Sequence, residues 1–176
     1  MSEIPSIATM IKTVTEKIVI SFPDQDLKQL YLIGIGSNGS QIAQRIQKEI
    51  RRTSQHTCSV GFLDITLFQD KPIKKDATPL NLNYTHLPKP IANQIIILVT
   101  DEIASGRSIQ AALSALQEYG NTQKIHTAAL IDRNIREMPI LCNFFAHKSE
   151  LKKSKIINVK LLEIHGEDSL VIQSKK

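Results

Sequence analysis

The sequence predicts an α/β fold: a twisted, mainly parallel sheet with helices on both faces, formed by residues 1–176 as a single domain. Three observations predict it. Short apolar runs of strand character alternate with segments whose apolar residues fall at helical spacing. Polar, glycine-containing turns join one kind of segment to the next. No linker rich in Gly, Ser and Pro splits the chain, and no internal repeat appears. Alternation of this kind calls for parallel strands joined by crossover helices.

The elements follow in order. Ile4 to Ile20 reads as an N-terminal helix. Leu30-Tyr31-Leu32-Ile33-Gly34-Ile35 is a short apolar run and a buried strand. After Gly36-Ser37-Asn38-Gly39 come Ile42, Ala43, Ile46 and Ile50, a helical stripe opposed by Gln, Arg, Lys and Glu. Val60 to Phe68 is β-rich and contains Asp64. Residues 69–93 read as an extended loop with four prolines and several lysines, of a length that usually signals a functional segment. Ile95 to Val99 is the clearest buried strand, and Thr100 to Ser108 a polar turn. Ile109, Ala112, Leu113 and Leu116 then mark one helix face, with Gly120 where a left-handed C-cap is wanted. Ile125 to Ile131 is the next strand, ending at Asp132-Arg133. Ile156 to Glu163 and Ser169 to Ile172 read as late edge strands.

Composition narrows the function classes. Against 22 Lys+Arg stand 17 Asp+Glu, a net charge of +5, with 41% apolar residues. That excludes a disordered, collagenous or disulfide-stapled chain. The longest apolar run, Ile95 to Val99, is far short of the roughly 20 residues of a membrane span. The first residues lack the basic and apolar regions of a secretory signal, so a cytoplasmic protein without membrane partners is expected. Cys58 and Cys142 show no CxxC spacing and read as small buried residues of a reduced compartment. His56, His86, His126 and His165 show no ligand spacing. The positive charge steers phosphate-bearing partners weakly and does not tell a nucleotide from RNA.

In a parallel sheet the ligand sits at the carboxyl ends of the strands, so the loops there carry the function. Gly34-Ile35-Gly36-Ser37-Asn38-Gly39 matches G-x-G-x-x-G. Its glycines begin inside the strand, and about 20 residues on, where the dinucleotide fingerprint needs an acid, the chain offers Cys58 and Ser59. A phosphate or pyrophosphate loop with inward N–H groups is preferred to a plain tight turn or a dinucleotide fingerprint. The second loop is more specific. An apolar strand runs through Val99-Thr100-Asp101-Glu102-Ile103-Ala104 into Ser105-Gly106-Arg107-Ser108 at a helix N-terminus. Such an end offers unpaired N–H groups and partial positive charge to a phosphate. Ser105 and Ser108 add hydroxyls, Arg107 adds charge, Gly106 allows close approach, and the acid upstream can accept from ribose hydroxyls.

This segment resembles the signature of the type I phosphoribosyltransferases: an apolar strand, two acids, then Thr/Ser-Gly-x-Thr/Ser. Gly61-Phe62-Leu63-Asp64-Ile65-Thr66-Leu67-Phe68-Gln69-Asp70 and Ala129-Leu130-Ile131-Asp132-Arg133-Asn134-Ile135-Arg136-Glu137-Met138-Pro139-Ile140 are similar to one branch, the bifunctional pyrimidine operon attenuation regulator/uracil phosphoribosyltransferase family. The resemblance covers roughly residues 30 to 165. It implies the family's sheet with a small hood, and the reaction of uracil with phosphoribosyl pyrophosphate to give UMP and pyrophosphate. It implies that Ser105, Gly106, Arg107 and Ser108 hold the 5-phosphate. By the same resemblance Asp101 is the catalytic acid, near the ribose and Mg²⁺, a metal that the sequence allows without demanding. Ser37, Asn38 and Gly39 stand in the pyrophosphate loop, and Ile131, Asp132 and Arg133 lie beside the base.

The departures from the family pattern are specific. Thr100 replaces the first acid, Gly36 a common Lys, Asn38 a usual Arg, and Gln69 a mobile-loop Arg. Charge-assisted phosphate contacts are about twice as strong as neutral ones, so these changes weaken the grip on a leaving pyrophosphate. Lys71, Lys74 and Lys75 could compensate or simply be solvated. The expectation is a nucleotide-binding relative of the pyrimidine regulator that holds a 5-phosphorylated ribose ligand such as UMP with weak or absent transfer. The alternatives are an active uracil phosphoribosyltransferase and an RNA-binding attenuation regulator. For RNA the candidates are Arg136, Lys152 and Lys153 within a basic stretch. Leu141 and His147 stand where the family has Arg and Lys. The resemblance also implies a homodimer or higher homo-oligomer.

Overall fold

The computed structural model describes residues 4–68 and 85–174. Five strands form one parallel sheet: β1 (Leu30–Ile35), β2 (Ser59–Leu63), β3 (Ile95–Ile103), β4 (Lys124–Asp132) and β5 (Phe144–Lys148), in the order β2-β1-β3-β4-β5. Every residue of β1 is buried, as a run apolar on both faces requires. Helices α1 (Ile7–Ser21) and α3 (Gly36–Ser54) cover one face, packing Met10, Val14, Ile42 and Ile46 against Leu32, Ile97 and Val99. Helix α4 (Arg107–Gln117) covers the other, with Ile109, Ala112 and Leu116 against Ile33, Ile96 and Leu98. A short helix α2 (Asp24–Leu27) leads into β1. The N-terminal helix begins at Ile7, where the Ser6 hydroxyl accepts from the Thr9 amide.

Three expectations need correction. The late strands β6 (Lys155–Lys160) and β7 (Ser169–Ser174) are not edges of the main sheet; they pair with each other, antiparallel, in a separate two-stranded sheet, with α5 (Leu162–His165) between them. The strand after the long loop does not stop at Val99. It runs to Ile103, because Glu102 and Ile103 pair with Ile131 and Asp132 of β4. Gly120 has a left-handed φ of +115°, but α4 already ends at Gln117 with Glu118 as its cap.

The β6–β7 hairpin is fastened to the main body at several points. Ile157, Val159 and Leu161 enter the core under α3. Arg45 of α3 donates to Glu163 at 2.9 Å and to Asp168 at 2.7 Å. The Arg133 guanidinium donates to the carbonyls of Lys152 and Lys155 at 3.2 and 3.0 Å. Cys58 and Cys142 are free and buried, as expected, and burial pushes their thiols up to about 11 and about 12. Among the described residues no helix is long and apolar enough to cross a membrane.

The strand order reverses direction at β1 and β3. Open sheets of this order leave a crevice there, beyond the carboxyl ends of the strands.

Candidate functional site

A cleft of about 610 Å³ lies at that point. Its floor is the end of β3 and the turn into α4, from Thr100 to Gly106 with Ser108 and Ile109. Asn38 of α3 and the β6–β7 hairpin, with Asn158, Lys160 and Gln173, form its walls. Asp101, Ser105, Gly106 and Ser108 are therefore brought together as the sequence suggested.

The turn is held from below. Ser105 O accepts the amides of Glu137 and Met138 at 2.9 and 3.0 Å. Gly106 takes φ +92°, a conformation open to glycine, and a Cβ there would meet Ile140 at 3.0 Å. So glycine is required at 106 by backbone conformation and by the segment beneath, besides any need for ligand approach. No side chain caps α4, which leaves its leading amides for a ligand or water. The nearest substitute, Ser105 Oγ, accepts from the Arg107 amide at a long 3.4 Å. Arg107 itself is half exposed, does not line the cleft, and pairs with Glu137 at 3.1 Å.

The acids differ in their surroundings. Asp101 Oδ2 accepts from Asn38 Nδ2 at 2.8 Å, and Oδ1 accepts from the Glu102 amide at 2.9 Å and Thr100 Oγ1 at 3.2 Å. Asn38 Nδ2 also donates to Val159 O at 2.9 Å, so one amide ties the hairpin wall to the floor. Glu102, next in the chain, lines the same cleft, and Arg133 Nη1 is its neighbour at 3.5 Å. Burial raises the Glu102 carboxyl above the usual carboxylate range. Arg133 opposes that rise and the Asp101 charge adds to it. Lys160, the cleft's permanent cation among the described lining residues, pairs with Glu167 at 2.9 Å.

The three residues of the predicted pyrophosphate loop separate. Asn38 faces the main cleft, whereas Ser37 lines a second one of about 250 Å³ with Gln41, Gln44 and Asp64. Gly39 lines neither. It is buried where α3 crosses β3, and a Cβ there would stand 2.4 Å from Val99 O. A Cβ on Gly34 would likewise stand 2.4 Å from Ser40 Cα. These glycines permit close packing of helix on strand.

Ile131, Asp132 and Arg133 are buried and do not line the main cleft. Asp132 Oδ1 accepts from the Asn134 amide at 2.8 Å and from Arg136 at 2.7 Å. Arg136 further donates to the carbonyls of Ile103 and Ala104, at 2.8 and 2.9 Å, and of Ile140 at 3.0 Å. Every guanidinium nitrogen of Arg136 is thus committed, and it braces the turn that forms the cleft floor. Lys152 and Lys153 are exposed on the turn before β6. Gln69 and the loop lysines Lys71, Lys74 and Lys75 lie outside the described residues. Sequence reasoning missed Glu102 and the hairpin wall; the one available signal for Glu102 was its place directly after Asp101.

Among the described residues no group of three or more His, Cys, Asp and Glu side chains could by itself hold a metal.

The chain matches the family model of the phosphoribosyl transferase domain over residues 1–163. A curated relative, the bifunctional protein PyrR of Syntrophobacter fumaroxidans, is 34% identical over 165 residues, 93% of this chain and 88% of that protein. The bifunctional protein PyrR of Clostridioides difficile is 33% identical over 168 residues, 96% of this chain and 93% of that protein. Among solved structures, the hypoxanthine phosphoribosyltransferase of Trypanosoma cruzi superposes with a TM-score of 0.69 at 12% identity, covering 97% of this chain and 93% of that one. A hypoxanthine-guanine phosphoribosyltransferase of Bacillus anthracis gives 0.65 at 13% identity, covering 98% and 99%. At such identities these structures speak to the fold alone.

Proposed function

The chain belongs to the phosphoribosyltransferase family, alongside the bifunctional PyrR proteins, and from that premise we propose that it binds a 5-phosphorylated ribose ligand such as UMP and transfers uracil weakly or not at all. The observation that carries the reading is the single cleft that holds both the uncapped N-terminus of α4 and the acids at the end of β3. The amides and hydroxyls of Ser105 to Ser108 receive the monoester, and the acids line the same cleft. Arg107, which pairs with Glu137 and does not line the cleft, would add positive charge only from outside it.

Transfer asks for more. Expelling pyrophosphate requires cations at the leaving-group end. Asn38 stands on that side and is engaged with Asp101 and Val159. Ser37 and Gly39 have the neighbours described above and add no charge, and Lys160 is paired. Among the described residues the arrangement therefore favours holding the nucleotide over making it. Mg²⁺ binds through one or two carboxylates together with ligand phosphates. Asp101, with one acceptor position left, would supply such a contact and would be the catalytic acid of any residual transfer. The metal would neutralise phosphate charge. Ile131, Asp132 and Arg133 would shape the base side from behind. The protein would act in the cytoplasm as a homodimer or larger homo-oligomer. RNA contact, if the regulator role extends to it, would rest on Lys152 and Lys153, since Arg136 has no free nitrogen.

The test is a thermal-shift panel with UMP, GMP, phosphoribosyl pyrophosphate and inorganic phosphate, run beside a radiolabelled uracil assay with Mg²⁺. A ligand at 100 times its Kd adds about 2.7 kcal/mol of stability. UMP is expected to stabilise the protein, and Ser108→Glu, which sets a carboxylate at the amide tip, to abolish that shift. Absence of any nucleotide shift would overturn the binding reading. UMP formation at roughly 1 per second or faster would overturn the claim of weak transfer.

A further inference from the structure

Two neighbouring acids reach the cleft, and their hydrogen-bonding states are unequal. A carboxylate offers about four acceptor positions. Asp101 has three of them filled, by Asn38, the Glu102 amide and Thr100, and each of those donors is itself fixed in a strand or helix. Drawing Asp101 toward a ligand would also release Asn38 from its place between floor and hairpin. Glu102 has the opposite character. Its Oε2 meets Arg133 Nη1 at 3.5 Å, the outer limit of a hydrogen bond, and the side chain belongs to the lining of the cleft. It is also partly withdrawn from water, which raises its proton affinity. A carboxylate short of donors in such a setting gains most from hydroxyls brought by a ligand. Behind it the buried Arg133, with Nε lacking a partner, maintains positive charge that favours the ionised form.

We propose that Glu102, rather than Asp101, accepts the hydrogen bonds of the ligand's ribose hydroxyls and thereby makes the cleft select ribonucleotides over their deoxy analogues. The inference rests on the nucleotide-binding reading and assigns one side chain to one part of the ligand. Thr100 brings a hydroxyl and no charge to the cleft, and Glu102 supplies a carboxylate two residues on. The two positions share one side of the strand in a period-2 pattern.

The discriminating quantity is the ratio of Kd for 2′,3′-dideoxy-UMP to Kd for UMP, measured by calorimetry. Loss of charge-assisted hydrogen bonds predicts a ratio of about tenfold or more in the wild type. In Glu102→Gln the ratio should fall below about threefold, mainly through weaker UMP binding, while Asp101→Asn should keep most of it. Because Glu102→Gln removes the counter-charge of Arg133 and could fail to fold, Glu102→Asp serves as the second variant. It retains the charge, withdraws the carboxylate by one methylene, and should also reduce the ratio. A full ratio in either folded Glu102 variant, or collapse of the ratio in Asp101→Asn alone, would overturn the assignment while leaving nucleotide binding intact. A wild-type protein that binds neither nucleotide would overturn the underlying reading and this inference with it. Equal wild-type binding of the two nucleotides would overturn only the inference.

Discussion

Replacing Gly39 with alanine puts a single methyl group between α3 and the central strand. The added Cβ would stand 2.4 Å from Val99 O and 3.4 Å from Thr100 Cα. Ordinary carbon–oxygen contacts begin near 3.3 Å, so helix and strand must part by roughly 0.9 Å. Val99 is fully buried in the middle of β3, between β1 and β4, and its carbonyl cannot rotate away as a side chain would. Overpacking costs about 1–3 kcal/mol, and an unyielding backbone neighbour puts this case at the upper end. Alanine returns about 1 kcal/mol through its better helix propensity. The net loss is then about 2 kcal/mol, or about 4–8 °C in Tm for a chain of this size. The displacement also carries Asn38 away from Asp101, so UMP should bind more weakly in the variant even below its melting range. Thermal melts and UMP titrations of both proteins measure the two effects. A melting temperature equal to or above that of the wild type would refute the packing argument, because it would mean that α3 lifts at no cost.

Two further outcomes are expected. His126 packs against the rings of Phe22 and Phe144, with centroids 5.4 and 5.9 Å away, and its Nε2 is buried without a partner; burial, aided by Lys124, holds its pKa below the ordinary value. The unfolded chain therefore takes up this proton first, so stability is intact above about pH 6.5 and declines as pH falls from there toward the lower folded value. Urea midpoints between pH 8 and 5 should show the decline, and His126→Gln should flatten it; a His126 ring that titrates at or above 6.5 in the folded protein would contradict this. Arg45→Met should cost about 1 kcal/mol after allowance for solvent screening of its partly exposed partners, and should speed amide exchange in β6 and β7 while sparing β1 and β3. Uniform exchange throughout would show that the hairpin does not depend on that ion cluster.

How much of this was legible in the sequence varies with where each element gets its structure. Strands β1 and β3 were readable because Leu30–Ile35 and Ile95–Val99 are buried on both faces and carry that in their composition. The stripe of α4 was readable for the same local reason. Strand β5 was not, since Phe144–Lys148 is short, partly exposed and extended only through its pairing with β4. The reach of β3 into Thr100–Ile103 is likewise imposed by β4 on residues with the polarity of a turn. At the site, the uncapped turn at Ser105–Ser108 could be anticipated from residue types alone. The partners of Arg133 and Arg136 could not: they are mostly backbone carbonyls, assembled only by the fold, and no sequence pattern announces them. The glycines at 34 and 39 show the reverse hazard, a ligand-loop spacing that arises from helix-to-strand contact.

The β6–β7 hairpin has a consequence for synthesis. The parallel sheet is finished once Lys148 has left the ribosome, but one side of the cleft is still unmade, because it comes from residues 156–173. Domains form in order as the chain emerges, so a nascent or prematurely terminated chain would carry the sheet and the helix tip without the enclosure. The nucleotide binding proposed above would therefore arise only after residue 173 has emerged, and would be absent from chains that stop before β6.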